Sequence, residues 1–157
     1  MGFEDVLYRF FPKVYTEADF IEKTYSILDK AGFNAEPYVK RVEKPWGYEL
    51  IFTEKDLPYA AKLLHVNAGC RLSLQYHEIK KETLILASGS AKILLDSRII
   101  DMVKNHGYSV KPLMRHRIIA VSDCDIFEAS TKEEGKTVRL EDDYKRLDET
   151  EADRQKR

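Results

Sequence analysis

Two cysteines, Cys70 and Cys124, are all that the 157-residue chain carries, and no C-x-x-C pair occurs. A zinc ribbon and a dithiol redox motif are thereby excluded, and two reduced, buried thiols are favoured over a disulfide. The chain also lacks GxGxxG, P-loop and GxSxG segments, which removes the commonest dinucleotide, nucleoside-triphosphatase and serine-hydrolase readings. An excess of either charge is missing: 26 Lys and Arg stand against 27 Asp and Glu, for a net charge of -1. Without a basic surplus there is no electrostatic footprint for nucleic acid. No apolar run approaches the roughly 18 residues of a membrane-spanning helix. The opening MGFEDVLYRFF has acidic residues where a secretion signal carries basic and long apolar ones. A cytoplasmic protein, with neither membrane nor nucleic acid as partner, is the expectation.

What is present is a soluble composition, 43% hydrophobic and 34% charged. The length suits one domain able to bury a real core. Residues 1–40 read as a helical extension: Thr16 to Asp19 has the form of a capping box, Phe20, Ile21, Tyr25 and Leu28 fall near one helical face, and Gly32 supplies a stop. The spacing predicts a helix over 17–31. After Pro37 the texture changes to short β-rich runs, namely YELIFT, AAKLLHV, RLSLQYH, ETLILAS, AKILL, RIIAV, DIFEA and TVRL. Turn-forming pieces such as NAGC, SGS, KNHG and TKEEGK separate them. Many short strands at regular spacing predict an all-β sandwich or barrel over 41–146. From Glu141 twelve of the last seventeen residues are charged, so 147–157 is expected to be a solvated tail.

One run carries chemistry. In RLSLQYH, Leu72, Leu74 and Tyr76 alternate with Arg71, Ser73, Gln75 and His77, and period two puts Gln75 and His77 on one face. Side chains two residues apart along a strand are about 6.5–7 Å apart, close enough to converge on one ion. Glu82 comes next, where a turn can fold it back, and His116, after Pro112 and before the apolar strand 117–121, is the leading fourth ligand.

These residues resemble the cupin superfamily. Its first motif runs Gly, five residues, His-x-His, three or four residues, Glu, six residues, Gly; Gly69, Gln75, His77, Glu82 and Gly89 meet that spacing with Gln for the first His. VKPLMRHR resembles the second motif, with Pro112 and His116 in place, Leu113 where the motif has glycine, and Lys111 where it has proline. Within the superfamily, EKPWGYE (43–49), RLSLQYHEIKKET (71–83) and TVRLEDDYKR (137–146) are similar to bacterial type II mannose-6-phosphate isomerases and their small stand-alone relatives.

The resemblance implies a double-stranded β-helix (jelly-roll) barrel after the helical extension. It further implies a divalent metal held by Gln75, His77, Glu82 and His116, a phosphosugar or nucleotide-sugar ligand, and a catalytic Arg139. Mixed N and O donors suit Zn, Mn, Fe, Co or Ni. Residues 9–36 are similar to the opening of limiting-CO2-inducible carbonic anhydrases, short of that family's metal-binding segment.

Around the ligands, Lys62 and Arg71 are either exposed or turned from a polar barrel interior toward an anionic ligand. Trp46 is either a packing anchor or a wall for a sugar ring. Arg139 could instead pair with Glu141 or Asp142. His65 reads as a core or rim histidine and His106 as exposed. Two functions remain open on these residues: a metal-dependent, isomerase-like enzyme of carbohydrate metabolism, or a non-catalytic module binding a sugar or small anion. A homodimer is expected, because a small barrel leaves sheet edges that invite pairing.

Overall fold

A computed structural model describes residues 37–132 and 135–146, together with Ala18 and Glu22. The helix expected over 17–31 lies outside the described residues apart from those two, which are both helical, and the tail from 147 onward lies outside them as well. The chain divides into two compact units between Pro37 and Tyr38, and every described strand belongs to the second.

In chain order the strands are β1 (Lys40–Lys44), β2 (Gly47–Ile51), β3 (Tyr59–Val66), β4 (Leu74–His77), β5 (Glu82–Ser88) and β6 (Ala91–Leu95). Then come β7 (Arg98–Asp101), β8 (Gly107–Val110), β9 (His116–Ala120), β10 (Cys124–Thr131) and β11 (Thr137–Glu141). All eight expected runs contain a strand. The three others, β1, β7 and β8, escape a pattern search because they bury almost nothing: Val42 alone in β1, no residue in β7 and Val110 alone in β8. The run RLSLQYH is only half strand, since β4 starts at Leu74 and Arg71 joins the sheet by a single bridge to Ile119.

Every strand pairing is antiparallel. The strands form two sheets, β1-β2-β3-β10-β5-β8 and β11-β4-β9-β6-β7. This is the jelly roll of the cupins.

Inward-facing side chains occur at every second strand position, and four such rows tell the same story. Lys62, Leu64 and Val66 on β3 run from polar to apolar. So do Glu82, Leu84 and Leu86 on β5, His116, Ile118 and Ala120 on β9, and, read backwards, Glu128, Ile126 and Cys124 on β10. Register places Lys62 opposite Glu128, Leu64 opposite Ile126 and Val66 opposite Cys124. The apolar ends stack into a core in which Val66, Leu86, Ile93, Ile118 and Ile126 are essentially inaccessible. The polar ends gather at the other end of the barrel, so the direction of these rows sets the site's position.

Two loop positions hold this frame. Gly89 has φ +73°, and a Cβ there would collide with the Asp123 carbonyl oxygen, so the tight exit from β5 requires glycine. Leu113, which stands at the glycine of the second motif, keeps the left-handed conformation with φ 65°. Its N–H donates to the His77 carbonyl at 2.8 Å.

Candidate metal centre and its cavity

Gln75 and His77 come from β4, and Gln75 is the direct register partner of His116, the first residue of β9. Glu82 opens β5 in the other sheet: the chain crosses between sheets over 78–81 and brings Glu82 back against the two histidines. One ligand atom each from His77, Glu82 and His116 lie within 4.8 Å of one another. His116 Nε2 is 3.0 Å from Glu82 Oε1, and His77 Nε2 is 3.5 Å from Glu82 Oε2. The Gln75 side-chain amide is 3.5 Å from His116 Nε2.

The outer nitrogen of each histidine is occupied. His116 Nδ1 donates to the Met114 carbonyl at 3.1 Å, and His77 Nδ1 meets Thr137 Oγ1 at 3.0 Å. Such outer partners orient an imidazole so that Nε2 faces the centre, the arrangement found behind metal-ligating histidines. His77 Nε2 is buried with no hydrogen-bond partner, and a buried polar atom in that state calls for an explanation. Burial pushes the Glu82 carboxyl up, but the His116 and His77 imidazoles against it and the charge of Lys80 outweigh it and hold the group far below the ordinary carboxylate range. An anionic carboxylate, two oriented imidazoles and an amide form a donor set that fits a first-row divalent ion. The His77, Glu82 and His116 cluster could hold one.

A buried cation stands beside this cluster that sequence reasoning missed. Lys80 is 5% exposed, with Nζ 2.8 Å from Glu82 Oε2 and 2.6 Å from Glu128 Oε1. In sequence Lys80 belongs to EIKKE, which reads as a solvated run. Glu128 was missed as well, although one signal was there to find it: it continues the inward row of Cys124 and Ile126 and so puts a charge on a core face.

Gln75, His77 and Lys80 open onto a cavity of about 460 Å³, while Glu82 and His116 lie behind its wall. Lys62, Arg139 and Trp46 line it too. Arg139 sits opposite Gln75 in the β11–β4 register, and its Nη1 donates to the Arg146 carbonyl at 3.0 Å. Trp46 is 4% exposed and packs in the core cluster while also lining the cavity.

Arg71 is not in the wall. Its guanidinium is exposed and forked onto Asp143, with Nη2 to Oδ1 at 2.9 Å. His65 lies on the barrel's flank, 2.7 Å from Asp125 Oδ1 and stacked on Tyr48. His106 is exposed. Cys70 and Cys124 are free thiols, and burial beside Asp125 and Asp123 pushes Cys124 up to about 11.

Comparison with known families places this geometry. Residues 32–149 match the model of the mannose-6-phosphate isomerase C-terminal domain. The chain belongs to that family. Its cupin fold is shared with several solved structures, among them a nucleoside dehydratase from Streptomyces at TM-score 0.58 and 13% identity, covering 71% of this chain and 97% of that one. KdgF from Halomonas sp. superposes at TM-score 0.54 with 14% identity, over 65% of this chain and 92% of KdgF. A Bacillus subtilis oxalate decarboxylase mutant superposes at 0.56 with 18% identity, over 65% of this chain and 30% of the other. By sequence, the family member is 25% identical over 132 residues to the xanthan biosynthesis protein XanB of Xanthomonas campestris pv. campestris. That match takes in 80% of this chain but 28% of XanB, so the chain spans just over a quarter of the length of the curated relatives it matches. Among the described residues no helix is long and apolar enough to cross a membrane.

Proposed function

We propose that this cupin binds a divalent metal through Gln75, His77, Glu82 and His116 and acts on a phosphorylated or nucleotide-linked sugar, with mannose-6-phosphate isomerase-like chemistry. The observation that carries the reading is the buried His77, Glu82 and His116 cluster, which reaches a cavity through His77 and Gln75. A bound divalent ion supplies Lewis acidity, polarising a sugar carbonyl or hydroxyl oxygen. The chain's own residues bind and orient the substrate. Arg139, beside Gln75, offers a planar fork to a phosphate or a developing oxyanion, and Lys62 adds a point charge. Trp46 gives the sugar ring an apolar wall, and the buried setting of the cluster keeps these charges effective. Arg71, held by Asp143 outside the wall, has no part in the proposal.

One observation favours the second reading, a non-catalytic module that binds a sugar or small anion. Lys80 already meets one of the two Glu82 carboxylate oxygens. Metal analysis of protein purified without added metal separates the two, together with turnover of mannose 6-phosphate coupled to oxidation downstream of fructose 6-phosphate. The enzyme reading expects stoichiometric metal, its loss in His77→Ala, and turnover that a chelator abolishes and metal restores. Metal-free protein that binds phosphosugars without interconverting them would establish the module instead.

A further inference from the structure

The protein as a whole is near neutrality, at a net charge of -1, yet its cavity is not. Among the described residues that line it are eight basic side chains and three acidic ones, Glu49, Glu54 and Glu128. Two more carboxylates, Glu82 and Asp142, engage the wall cations Lys80 and Arg146 from behind. Counting both against the wall still leaves three positive charges in excess. Like charges facing one another across a concave, low-dielectric surface repel, and such a surface concentrates anions of matching charge.

The cations occupy two zones that differ in burial. Lys80 and Arg146 are buried, 5% and 9% exposed, and together with Lys62, in register with Glu128, and Arg139, in register with Gln75, they form the inner group. Lys55 and Lys132 are exposed, and with the half-buried Lys40 and Lys44 they form the rim. Tyr59, 54% exposed, is part of the same wall. Tyr59 is the register partner of Thr131, and the next residue, Lys132, donates its N–H to the Pro58 carbonyl at 3.1 Å, so the backbone fixes both positions at this end of the wall.

From these observations we infer that the cavity takes a ligand bearing two phosphate groups, one in the buried zone and one at the rim, in preference to a sugar monophosphate. Inference and proposed function share the same site, and this one rests on that reading. A volume of about 460 Å³ lies within the range of small-molecule sites and is more than one sugar ring fills. A single phosphate engages only one of the two cation zones. Two sources present the required chemistry, a sugar bisphosphate and a nucleoside diphosphate-linked sugar. In the second, the nucleobase has an exposed ring in Tyr59 on which to stack.

Calorimetric titration of the metal-supplemented full chain with mannose 6-phosphate, fructose 1,6-bisphosphate and GDP-mannose tests this. At least one two-phosphate ligand is expected to bind about ten-fold or more tighter than mannose 6-phosphate, with a steeper loss as salt rises. The Lys55→Ala/Lys132→Ala double variant, altered only at exposed positions, should collapse that ratio toward one. Tyr59→Ala should weaken GDP-mannose selectively if the nucleotide-linked source is right, and leave the bisphosphate preference intact if it is not. Equal affinity for mono- and two-phosphate ligands, or a double variant that keeps the full ratio, overturns the inference while the sugar-phosphate reading stands. Failure of all three probes to bind defeats both.

Discussion

At the scale of single residues the site is a balance of buried charges. Lys80 is held between Glu82 and Glu128, and all three are less than 7% exposed. Removing one partner from a buried ion pair costs far more than the pair contributes, because the remaining charge is stranded away from water. Lys80→Met keeps length and apolar volume but strands two carboxylates. It should lower stability by about 3–5 kcal/mol in urea unfolding monitored by tryptophan fluorescence. A loss below about 1 kcal/mol would mean that water reaches the pair. Added divalent metal should raise the melting temperature of this variant more than that of the parent, since the ion replaces the missing cation at Glu82.

At the scale of elements, two connections carry tests. Leu113 has φ 65° and is 66% exposed, so its side chain gives little burial in return for a left-handed backbone. That conformation costs an L-residue about 1–2 kcal/mol, and glycine's extra freedom in the unfolded chain takes back roughly 0.5–1. Leu113→Gly should therefore stabilise by about 0.5–1 kcal/mol, whereas Leu113→Ala, which keeps a Cβ, should not. Equal effects from the two in chemical denaturation would contradict the strain argument.

After β11 the chain turns back through Asp142, which accepts from Arg146 N at 2.8 Å, from Nη2 at 2.6 Å and from Nε at 3.1 Å. Burial pushes the Asp142 carboxyl up, but those hydrogen bonds and the charges of Arg146 and Arg139 prevail and hold it below the ordinary value. A carboxylate lowered in the folded state stabilises the fold fully above its unfolded pKa of about 3.9. That contribution is lost as pH falls through the lower folded value. Urea midpoints of the parent should thus fall steeply below about pH 4, and those of Asp142→Asn should start lower and fall less. Parallel curves for the two proteins would remove Asp142 from the acid response.

For the whole molecule, assembly is the open term. Among the described residues β7 pairs only with β6, and its other edge carries Ile99 and Ile100, 63% and 36% exposed. An exposed apolar edge strand invites pairing with another chain. We expect a dimer by light scattering, shifted toward monomer by Ile99→Lys with the fold retained in circular dichroism. A dilute, stable monomer of the parent would dispose of this expectation.

The sequence alone determined the barrel and named most of the candidates for the site. Strands with apolar alternation announce themselves by period two, and Gln75, His77 and Glu82 are legible as candidates because spacing along a strand and across one turn is a local property, whereas His116, on β9, is reached through its resemblance to the second cupin motif. Where a strand buries nothing, as in β7, local pattern has nothing to report, and only pairing with β6 makes it a strand. The same limit hid Lys80 and separated Arg71 from Lys62. All three are basic residues in or beside strands, and their fates diverge because Lys80 turns inward against Glu82 and Glu128 while Arg71 meets Asp143 from a segment seventy-two residues away. Tertiary structure decided which charges share a low-dielectric pocket and which face water, since burial and long-range pairing depend on how the two sheets face each other.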